Sequence, residues 1–393
     1  MGSVSFSPWN LQQVNSPAGQ QAGTTDGPAA AGDPFACVFG NQRHITYLDT
    51  AGSIHDCWYD GGRGRWNHQL VNGAGGATSG PPAAGRPFVW TVGSEQQHFT
   101  YRAASGVICD SWYSAGRWNL QQINGPDGHT SGPVASGDPF AGVFRDQQHV
   151  AYLDAAGVVY DCWSAGSTWH LQQVNGAGGL TRGSVAVGGP FIWTAGSEQQ
   201  HFTYYDAAGT IHDSWIADGT WNLRHINGAG GFTDGPRAAQ LPFVSVYGDQ
   251  QHVFYLGRAP VADELGVIHD AWYNGAKDQW GLQQINGPAG LTAGPAAVGA
   301  PFASVFSPQQ VSARAGQHVA YRDSTGTIYD CWSDSLTGSW NLQQVTGPGG
   351  VTDGPAAAGG PFAWTTAASQ QHFTYRTADG AIYDAWFNGA ALD

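Results

Sequence analysis

The sequence predicts an all-β protein, a seven-bladed β-propeller of four-stranded antiparallel blades that is closed by its N-terminal strand. Four short sequence markers each occur seven times, always in the same order. Each repeat holds four stretches rich in Val, Ile, Thr, Tyr, Phe and Trp, separated by Gly-rich turns, and this pattern is typical of short strands. Such repeats predict propeller blades, which stack around a ring because no blade can bury both of its faces alone.

Composition supports a folded β protein and excludes several other classes. The chain has 393 residues with 58 glycines and 17 tryptophans, and so many aromatic side chains are not expected of a disordered chain. The sequence contains no run of about 18 apolar residues, so it predicts no membrane insertion. The formal net charge of −14 argues against nucleic acid as a partner, because binding a polyanion needs a basic surface. The start, MGSVSFSPWN, has no basic region before an apolar stretch, so we expect no secretory signal in this chain and leave its location open.

Four markers define the repeat. The first, Trp-Asn-Leu-Gln-Gln or a variant, begins at Trp9, Trp66, Trp118, Trp169, Trp221, Trp280 and Trp340. The second, Gln-Gln-His or a variant, ends at His44, His98, His149, His201, His252, His318 and His372. The third, Asp-x-Trp, ends at Trp58, Trp112, Trp163, Trp215, Trp272, Trp332 and Trp386. The fourth, Pro-Phe, ends at Phe35, Phe88, Phe140, Phe191, Phe243, Phe302 and Phe362.

The second repeat illustrates the four predicted strands. Strand A begins at Pro87 (PFVWTV), strand B at Gln97 (QHFTYR), strand C at Val107 (VICDSWY) and strand D at Trp118 (WNLQQIN). The predicted blades cover residues 33–73, 86–125, 138–176, 189–228, 241–287, 300–347 and 360–393, the last together with 6–15, in one domain of residues 1–393. Two separate sandwich domains are the alternative, but they need a linker, and the composition shows no break.

The two ends of the chain predict how the ring closes. The sequence stops after IYDAWFNG from Ile382, where a strand D is missing, and it starts with a strand D at Trp9. We expect this N-terminal strand to complete the last blade, because it would pair an edge that is otherwise open.

The recurrent strand-B histidine has two interpretations. A histidine buried between blades needs hydrogen-bond partners, and an Asp and a Trp lie close by in each repeat, a set that resembles the His, Asp, Ser/Thr and Trp network of WD-repeat propellers. Direct ligand contact is the alternative. We expect the structural role, with no metal site and no cofactor, because no residue spacing fits zinc and no catalytic, phosphate-binding or calcium-binding motif occurs.

The five cysteines divide into two groups. Cys57, Cys162 and Cys331 occupy the middle position of Asp-x-Trp, where other repeats have Ser or Ala, so we interpret them as small hydrophobic residues. Cys37 and Cys109 lie in adjacent blades. Free thiols are the preferred interpretation, although a disulfide between these two stays open.

The residue two positions after the Pro-Phe phenylalanine is a tryptophan in three repeats and a small residue in the other four. This position holds Cys37, Trp90, Gly142, Trp193, Ser245, Ser304 and Trp364. One interpretation is packing, with each Trp filling space beside a small neighbour. The other is a ligand pocket between blades, since aromatic faces stack on the apolar faces of sugars. The candidate binding residues are Trp90, Trp193 and Trp364, with His98, His201 and His372 and with Asp110, Asp213 and Asp384.

The strand B to D region resembles a known family. QHFTYRTADGAIYDAWFNG from Gln371 and QHVAYLDAAGVVYDCWSAGSTWHL from Gln148 resemble the repeats of the fucose-binding lectin propellers of the Aleuria type. The resemblance implies a sugar-binding ring with sites between adjacent blades. At the position of the family's sugar-binding Arg, this sequence has Thr100, Thr203 and Thr374 in three repeats and Ala151 and Ala320 in two others. Its Glu becomes an Asp two residues before the Trp, and its rings usually have six blades, so fucose specificity does not carry over.

These observations favour a multivalent carbohydrate-binding lectin, with glycans or glycoconjugates as partners bound in pockets between blades. Near-identical repeats suit many weak sites, and multivalency raises avidity without new contacts. No repeat owns a unique cluster of acid, base and nucleophile. The alternatives are a propeller enzyme acting on a polysaccharide or small molecule and a scaffold for protein partners. The oligomeric state stays open.

Overall fold

The structure is a computed structural model that describes residues 8–17, 24–258, 266–307, 314–366 and 369–389. Its strands β1 to β28 form seven four-stranded antiparallel sheets arranged in a ring, which confirms the predicted fold class. In the described part of the chain, no helix is long and apolar enough to cross a membrane. We number the blades I to VII in chain order, with strands A to D running from the axis to the rim.

The strands have the following bounds. Blade I comprises β2 (Phe35–Phe39), β3 (Gln42–Leu48), β4 (Ile54–Asp60) and β5 (Arg65–Asn72). Blade II comprises β6 (Phe88–Val92), β7 (Gln96–Arg102), β8 (Ile108–Ser114) and β9 (Arg117–Gln122). Blade III comprises β10 (Phe140–Phe144), β11 (Gln147–Leu153), β12 (Val159–Ala165) and β13 (Thr168–Gln173). Blade IV comprises β14 (Phe191–Ala195), β15 (Gln199–Tyr205), β16 (Ile211–Ala217) and β17 (Thr220–His225). Blade V comprises β18 (Phe243–Tyr247), β19 (Gln250–Leu256), β20 (Ile268–Asn274) and β21 (Gln279–Gln284). Blade VI comprises β22 (Phe302–Phe306), β23 (Gly316–Arg322), β24 (Ile328–Asp334) and β25 (Trp340–Gln344). Blade VII comprises β26 (Phe362–Thr365), β27 (Gln370–Arg376), β28 (Ile382–Asn388) and β1 (Trp9–Gln13).

The N-terminal strand closes the ring as predicted. Strand β1 pairs antiparallel with β28, from Trp9 opposite Phe387 to Gln13 opposite Tyr383. Just beyond it, the buried side-chain oxygen of Asn15 accepts a hydrogen bond from the backbone N–H of Ile382. The last blade therefore has four strands like the others, and its edge is paired.

Each blade presents two faces to its neighbours. In blade II, Trp90, His98 and Trp112 are cross-strand neighbours, and this face, which we call the forward face, packs against blade III. Val89 and Phe99 point the other way, and this backward face packs against blade I. The hydrophobic core is therefore divided among the interfaces between blades, and any site between blades joins a forward face to a backward face.

The Pro-Phe marker builds the wall of the axis. The phenylalanine is the first residue of each strand A, and neighbouring rings contact one another around the ring. Ring centroids lie between 3.9 Å apart, for Phe243 and Phe302, and 5.4 Å apart, for Phe35 and Phe88. A cavity of about 130 Å³ adjoins these rings.

All five cysteines are free thiols. The Sγ atom of Cys57 lies 3.4 Å from the hydroxyl oxygen of Thr25, and in blade II the hydroxyl of Ser111 lies 2.9 Å from that of Thr78. In blades I to IV and VI, the middle position of Asp-x-Trp therefore holds a small residue that can hydrogen-bond to a threonine of the preceding loop, whereas blades V and VII have Ala271 and Ala385 there. This corrects the interpretation of its cysteines as merely small hydrophobic residues. Burial raises the pKa of Cys57 to about 12, so its thiol stays protonated.

Candidate binding clefts between the blades

Every blade contains a buried pair of histidine and aspartate. In each pair, Nδ1 of the strand-B histidine lies 2.8–3.0 Å from a carboxylate oxygen of the strand-C aspartate. The pairs are His44 and Asp56, His98 and Asp110, His149 and Asp161, His201 and Asp213, His252 and Asp270, His318 and Asp330, and His372 and Asp384. All seven histidines are buried, which confirms the prediction that they are buried and bonded to protein groups.

The aspartate collects hydrogen bonds from several strands. In blade II, one oxygen of Asp110 accepts from His98 and from the Gln121 amide at 3.1 Å, and the other accepts from the Thr100 hydroxyl at 3.0 Å. An ionised carboxylate only accepts, so Nδ1 of the histidine carries a proton. In blade VI, Nε2 carries a proton as well, because His318 donates from this atom to the Arg314 carbonyl 2.7 Å away.

Blade IV replaces the strand-D glutamine with an arginine. Burial alone raises the pKa of Asp213, but the charges of His201 and Arg224 and their hydrogen bonds outweigh burial and hold it below its ordinary value. The carboxylate of this blade therefore stays ionised, because two cationic partners stabilise it.

The three blades with a strand-A tryptophan share one network. In blade II, the Trp90 indole N–H donates to the Thr100 hydroxyl at 2.9 Å, and its ring stacks on His98 with centroids 4.3 Å apart. Trp193 and Trp364 repeat both contacts in blades IV and VII. The histidine Nε2 atoms of these blades hydrogen-bond to Gln96, Gln199 and Gln370.

The structure brings the nine predicted binding residues together in threes, one set in each of these blades. Trp90 and Trp364 are each 6% exposed, and Trp193 is partly buried. Trp90 packs against Ala141 and Val150 of blade III. This burial matches the packing interpretation of the alternation, and direct ligand contact by the nine residues stays a prediction.

The blades without that tryptophan place an aromatic residue two positions later. Phe39, Phe144 and Phe306 lie edge-on to the histidines of blades I, III and VI, with ring centroids 6.0–6.2 Å apart. In blades I and III, Nε2 of His44 and of His149 is buried and has no hydrogen-bond partner among the described residues.

The forward face of blade I and the backward face of blade II enclose a cleft of about 240 Å³. We call it cleft I/II and name the other clefts in the same way. Blade I contributes Phe39, Gln42, His44, Trp58 and Gln69, and blade II contributes Gln97, Tyr113 and Trp118. Among the described residues, aromatic rings and neutral amides line this cleft, and no lysine, arginine, aspartate or glutamate does.

The two tryptophans of cleft I/II recur at the same strand positions around the whole ring. Going from cleft I/II to cleft VII/I, the strand-C tryptophan of one blade and the strand-D tryptophan of the next are Trp58 and Trp118, Trp112 and Trp169, Trp163 and Trp221, Trp215 and Trp280, Trp272 and Trp340, Trp332 and Trp9, and Trp386 and Trp66. The sequence analysis used these residues only as markers and missed them as cleft walls. Their presence in every repeat, on neighbouring strands, was the signal that could have found them.

In cleft IV/V, an arginine occupies the space between the tryptophans. The guanidinium carbon of Arg224 lies 4.8 Å from the ring centroid of Trp215 and 4.7 Å from that of Trp280. Arg224 also donates to Asp213 in its own blade and to Gln251 in blade V. The open space that remains lies beside this arginine and includes Phe232 and Asp278 in its lining.

Two further clefts contain an arginine from other strand positions. Arg314 lies two residues before strand β23 of blade VI, and its guanidinium carbon lies 4.2 Å from the Trp332 centroid and 5.0 Å from the Trp9 centroid in cleft VI/VII. Arg43 lies over Tyr59 at 4.3 Å and donates to Gln370 of blade VII. At cleft III/IV, a fourth arginine, Arg145, lies over Phe144 and forms an ion pair with Glu198 of blade IV. The clefts therefore differ, and cleft I/II has no arginine among its described lining residues.

Comparison with known proteins shows similarity in structure and not in sequence. No protein-family model and no curated protein matches the chain. The BP39L lectin from Burkholderia pseudomallei is 20% identical, with a TM-score of 0.61 over 90% of this chain and 94% of that chain. The SapL1 lectin, solved with alpha methyl fucoside, is 15% identical, with a TM-score of 0.48 over 81% and 95%. A fungal lectin from Aleuria aurantia, described as a six-bladed β-propeller with a novel fucose recognition mode, is 15% identical, with a TM-score of 0.47 over 79% and 92%.

The chain has the fold of the lectin-type β-propellers. The likeness to BP39L shows this and confirms the resemblance at the level of fold. The likeness to SapL1 and to the Aleuria lectin is too weak to add to it. Since one fold hosts many functions, the ligand has to be argued from the clefts themselves.

Proposed function

We propose that this protein is a multivalent carbohydrate-binding lectin whose sites are the clefts between neighbouring blades. The lining of cleft I/II carries the proposal. Trp58, Tyr113 and Trp118 offer aromatic surface to the apolar side of a sugar ring. The amides of Gln42, Gln69 and Gln97 can each donate to and accept from hydroxyl groups. A neutral polyol with one apolar face fits this combination.

The proposal names glycans or glycoconjugates as partners, and two further observations support it. The similarly folded BP39L is a lectin, which is an argument by analogy of fold. Clefts with the same tryptophan pair recur around the ring, and repeated weak sites multiply avidity towards a surface that displays many sugars. Cleft I/II is the strongest candidate, because no arginine is among its described lining residues, whereas a guanidinium group already covers the tryptophans of clefts IV/V and VI/VII.

Calorimetric titration tests this proposal. The ligands are the methyl glycosides of L-fucose, D-galactose, D-mannose, D-glucose and N-acetyl-D-glucosamine. Trp118→Ala removes one wall of cleft I/II and should remove one binding site. Trp66→Ala is the matched control, because it removes the same strand-D tryptophan from cleft VII/I, which Arg43 enters, and should leave the number of sites unchanged.

Each outcome of the titration has a defined meaning. If none of the five glycosides binds, the proposal is wrong. If Trp118→Ala and Trp66→Ala each remove a site, the clefts with an arginine bind sugar as well. If only Trp90→Ala, Trp193→Ala and Trp364→Ala each remove a site, the pockets follow the strand-A tryptophans, as the sequence analysis predicted, and not the strand-C and strand-D walls.

A further inference from the structure

The histidine Nε2 atoms divide the blades into two groups. In five blades the atom has a protein partner: Gln96 at 3.1 Å, Gln199 at 3.2 Å, Gln250 at 3.2 Å, Gln370 at 3.4 Å, and the Arg314 carbonyl at 2.7 Å. In blades I and III, the same atom of His44 and His149 has none among the described residues. A buried polar atom without a partner costs free energy, so these two positions call for an explanation.

Local sequence does not by itself explain the difference. Blades I and III have a glutamine, Gln42 and Gln147, at the position that supplies the partner in blade II. Blade V also has an aromatic residue, Tyr247, at the position of Phe39, and its glutamine still reaches the histidine. The unpaired nitrogens are therefore a feature of two blades and not of every blade that lacks the strand-A tryptophan.

His44 lines cleft I/II and is 4% exposed. Its Nδ1 lies 2.9 Å from Asp56, and because a carboxylate accepts, this contact fixes the proton on Nδ1. Nε2 then needs a hydrogen-bond partner of its own. His149 is 3% exposed and is held in the same way by Asp161, 3.0 Å away.

The class of partner follows from the other groups in the cleft. No described side chain with a formal charge lines cleft I/II, so neither a cation nor an anion finds a counter-charge among these lining residues. A hydroxyl group can either donate to or accept from the imidazole nitrogen and still forms a hydrogen bond with a glutamine amide such as Gln97. A polyhydroxylated neutral molecule supplies several such groups.

We infer that Nε2 of His44 in cleft I/II, and Nε2 of His149 at the matching position of cleft III/IV, forms a hydrogen bond with a hydroxyl group of the bound sugar. This inference rests on the proposed function and adds to it, because it makes these two clefts different from the other five. The histidine position that is structural in every blade is also a binding position in two of them. Asp56 and Asp161 are positioning residues, since they hold Nδ1 and do not meet the ligand.

Nitrogen NMR on the unmodified protein tests the inference. The protein is labelled with ¹⁵N at histidine and titrated with the same five methyl glycosides. The glycoside that binds in calorimetry should shift the Nε2 signals of His44 and His149, because each atom gains a hydrogen bond. The Nε2 signals of His252 and His318 should stay in place, because Gln250 and the Arg314 carbonyl already hold those atoms.

A pair of variants provides the second test. Asparagine places an amide N–H close to the position of Nδ1 and lacks Nε2, so His44→Asn with His149→Asn keeps a donor for the aspartates. This double variant should lower the affinity at two sites about tenfold, as expected for one lost hydrogen bond. His252→Asn with His318→Asn is the matched control and should bind as the unmodified protein does, because Nε2 of both histidines already has a protein partner.

The two measurements separate the inference from the proposed function. If a glycoside binds and the His44 and His149 signals do not move, the inference is wrong and the lectin proposal stands. The inference is also wrong if the two double variants lose equal affinity. If no glycoside binds, both fail. If His44→Asn with His149→Asn does not fold, the NMR titration of the unmodified protein alone decides.

Discussion

Blades I and II each carry an aromatic side chain on the histidine-bearing face of strand A, but at different positions along that strand. Blade II carries Trp90 and then Val92, and blade I carries Cys37 and then Phe39. Because the two positions are two residues apart, they lie on one face of the strand, about 7 Å apart. The ring of Trp90 stacks flat on its histidine, whereas Phe39 meets its histidine edge-on.

The difference between these blades extends across the interface to the next one. Trp90 packs against Val150 of blade III, whereas Cys37 packs against the cluster that contains Phe99 of blade II. A large residue on the forward face thus meets a smaller one, and a small residue meets a larger one. The alternation in the sequence therefore balances volume over two blades, which a single repeat viewed alone does not show.

The largest expected effect comes from breaking this balance. Trp90→Ala should lower the free energy of unfolding by about 3–5 kcal/mol, because it leaves a cavity between blades II and III. Adding Val150→Phe should restore part of that loss by refilling the space from the opposite side. Chemical denaturation of both variants measures the two changes.

Val150→Phe alone provides the control. In the unmodified protein the interface is already full, so the larger side chain should destabilise by about 1–3 kcal/mol. Val150→Phe therefore should stabilise the Trp90→Ala variant and destabilise the unmodified protein. If it destabilises both equally, Trp90 and Val150 are not coupled, and the comparison between blades has to be explained in another way.

The fold could be predicted from the sequence because its signals lie within one repeat. Strand length, turn residues and the four markers are local, and the missing strand D at one end matches the extra one at the other, where Trp9 pairs with Phe387. The buried histidine followed from its place on a strand that neighbours cover on both faces.

The clefts could not be predicted in the same way because each is built by two repeats. Trp58 and Trp118 are markers of different blades, and only the direction of each face shows that they line one cleft. Arg224, Arg314 and Arg43 come from a strand D, a residue just before a strand B, and a strand B. No repeat position therefore identifies the clefts that hold a guanidinium group.

A second prediction compares the hydroxyl groups of Thr100 in blade II and Thr46 in blade I. In blade II, the Thr100 hydroxyl accepts a hydrogen bond from Trp90 and donates one to Asp110 at 3.0 Å. In blade I, the Thr46 hydroxyl donates to Asp56 at 3.4 Å, and strand A has Cys37 in place of the tryptophan. Thr100→Val should cost about 1–3 kcal/mol, because it leaves buried polar groups unpaired. Thr46→Val should cost less. Equal losses of unfolding free energy in denaturation experiments would show that the hydrogen bond from Trp90 adds no stability.

A third prediction compares blades V and III by their response to acid. Burial lowers the pKa of His269 in blade V from 6.5 to about 4, and blade III has Tyr160 at the same strand position. Between these pH values, the unfolded chain binds a proton that the folded chain does not, so stability falls as pH falls from about 6.5 towards 4.

His269→Tyr should reduce this loss by about 1–2 kcal/mol at pH 5. Denaturation at pH 7 and at pH 5 measures it, since only the difference between the two pH values reports the titration. The unmodified protein keeps some acid sensitivity in either case, because burial also lowers the pKa of His55 and of His212. A variant that loses as much stability as the parent would show that His269 does not titrate in this range.

The smallest effect is expected where the blades are interchangeable. Cys162 of blade III lies 3.2 Å from the hydroxyl of Thr130, and in blade IV the hydroxyl of Ser214 lies 2.9 Å from that of Thr181. Cys162→Ser replaces one small hydrogen-bonding group with another and should change the free energy of unfolding by no more than about 1 kcal/mol.

Cys162→Leu is the contrasting variant. It brings a larger side chain into a fully buried position and should cost about 1–3 kcal/mol through overpacking. Thermal denaturation ranks the two variants. If the serine variant is the less stable one, the position depends on the sulfur atom itself. The serines and alanines that occupy it in blades II, IV, V and VII would then need a local compensation that blade III lacks.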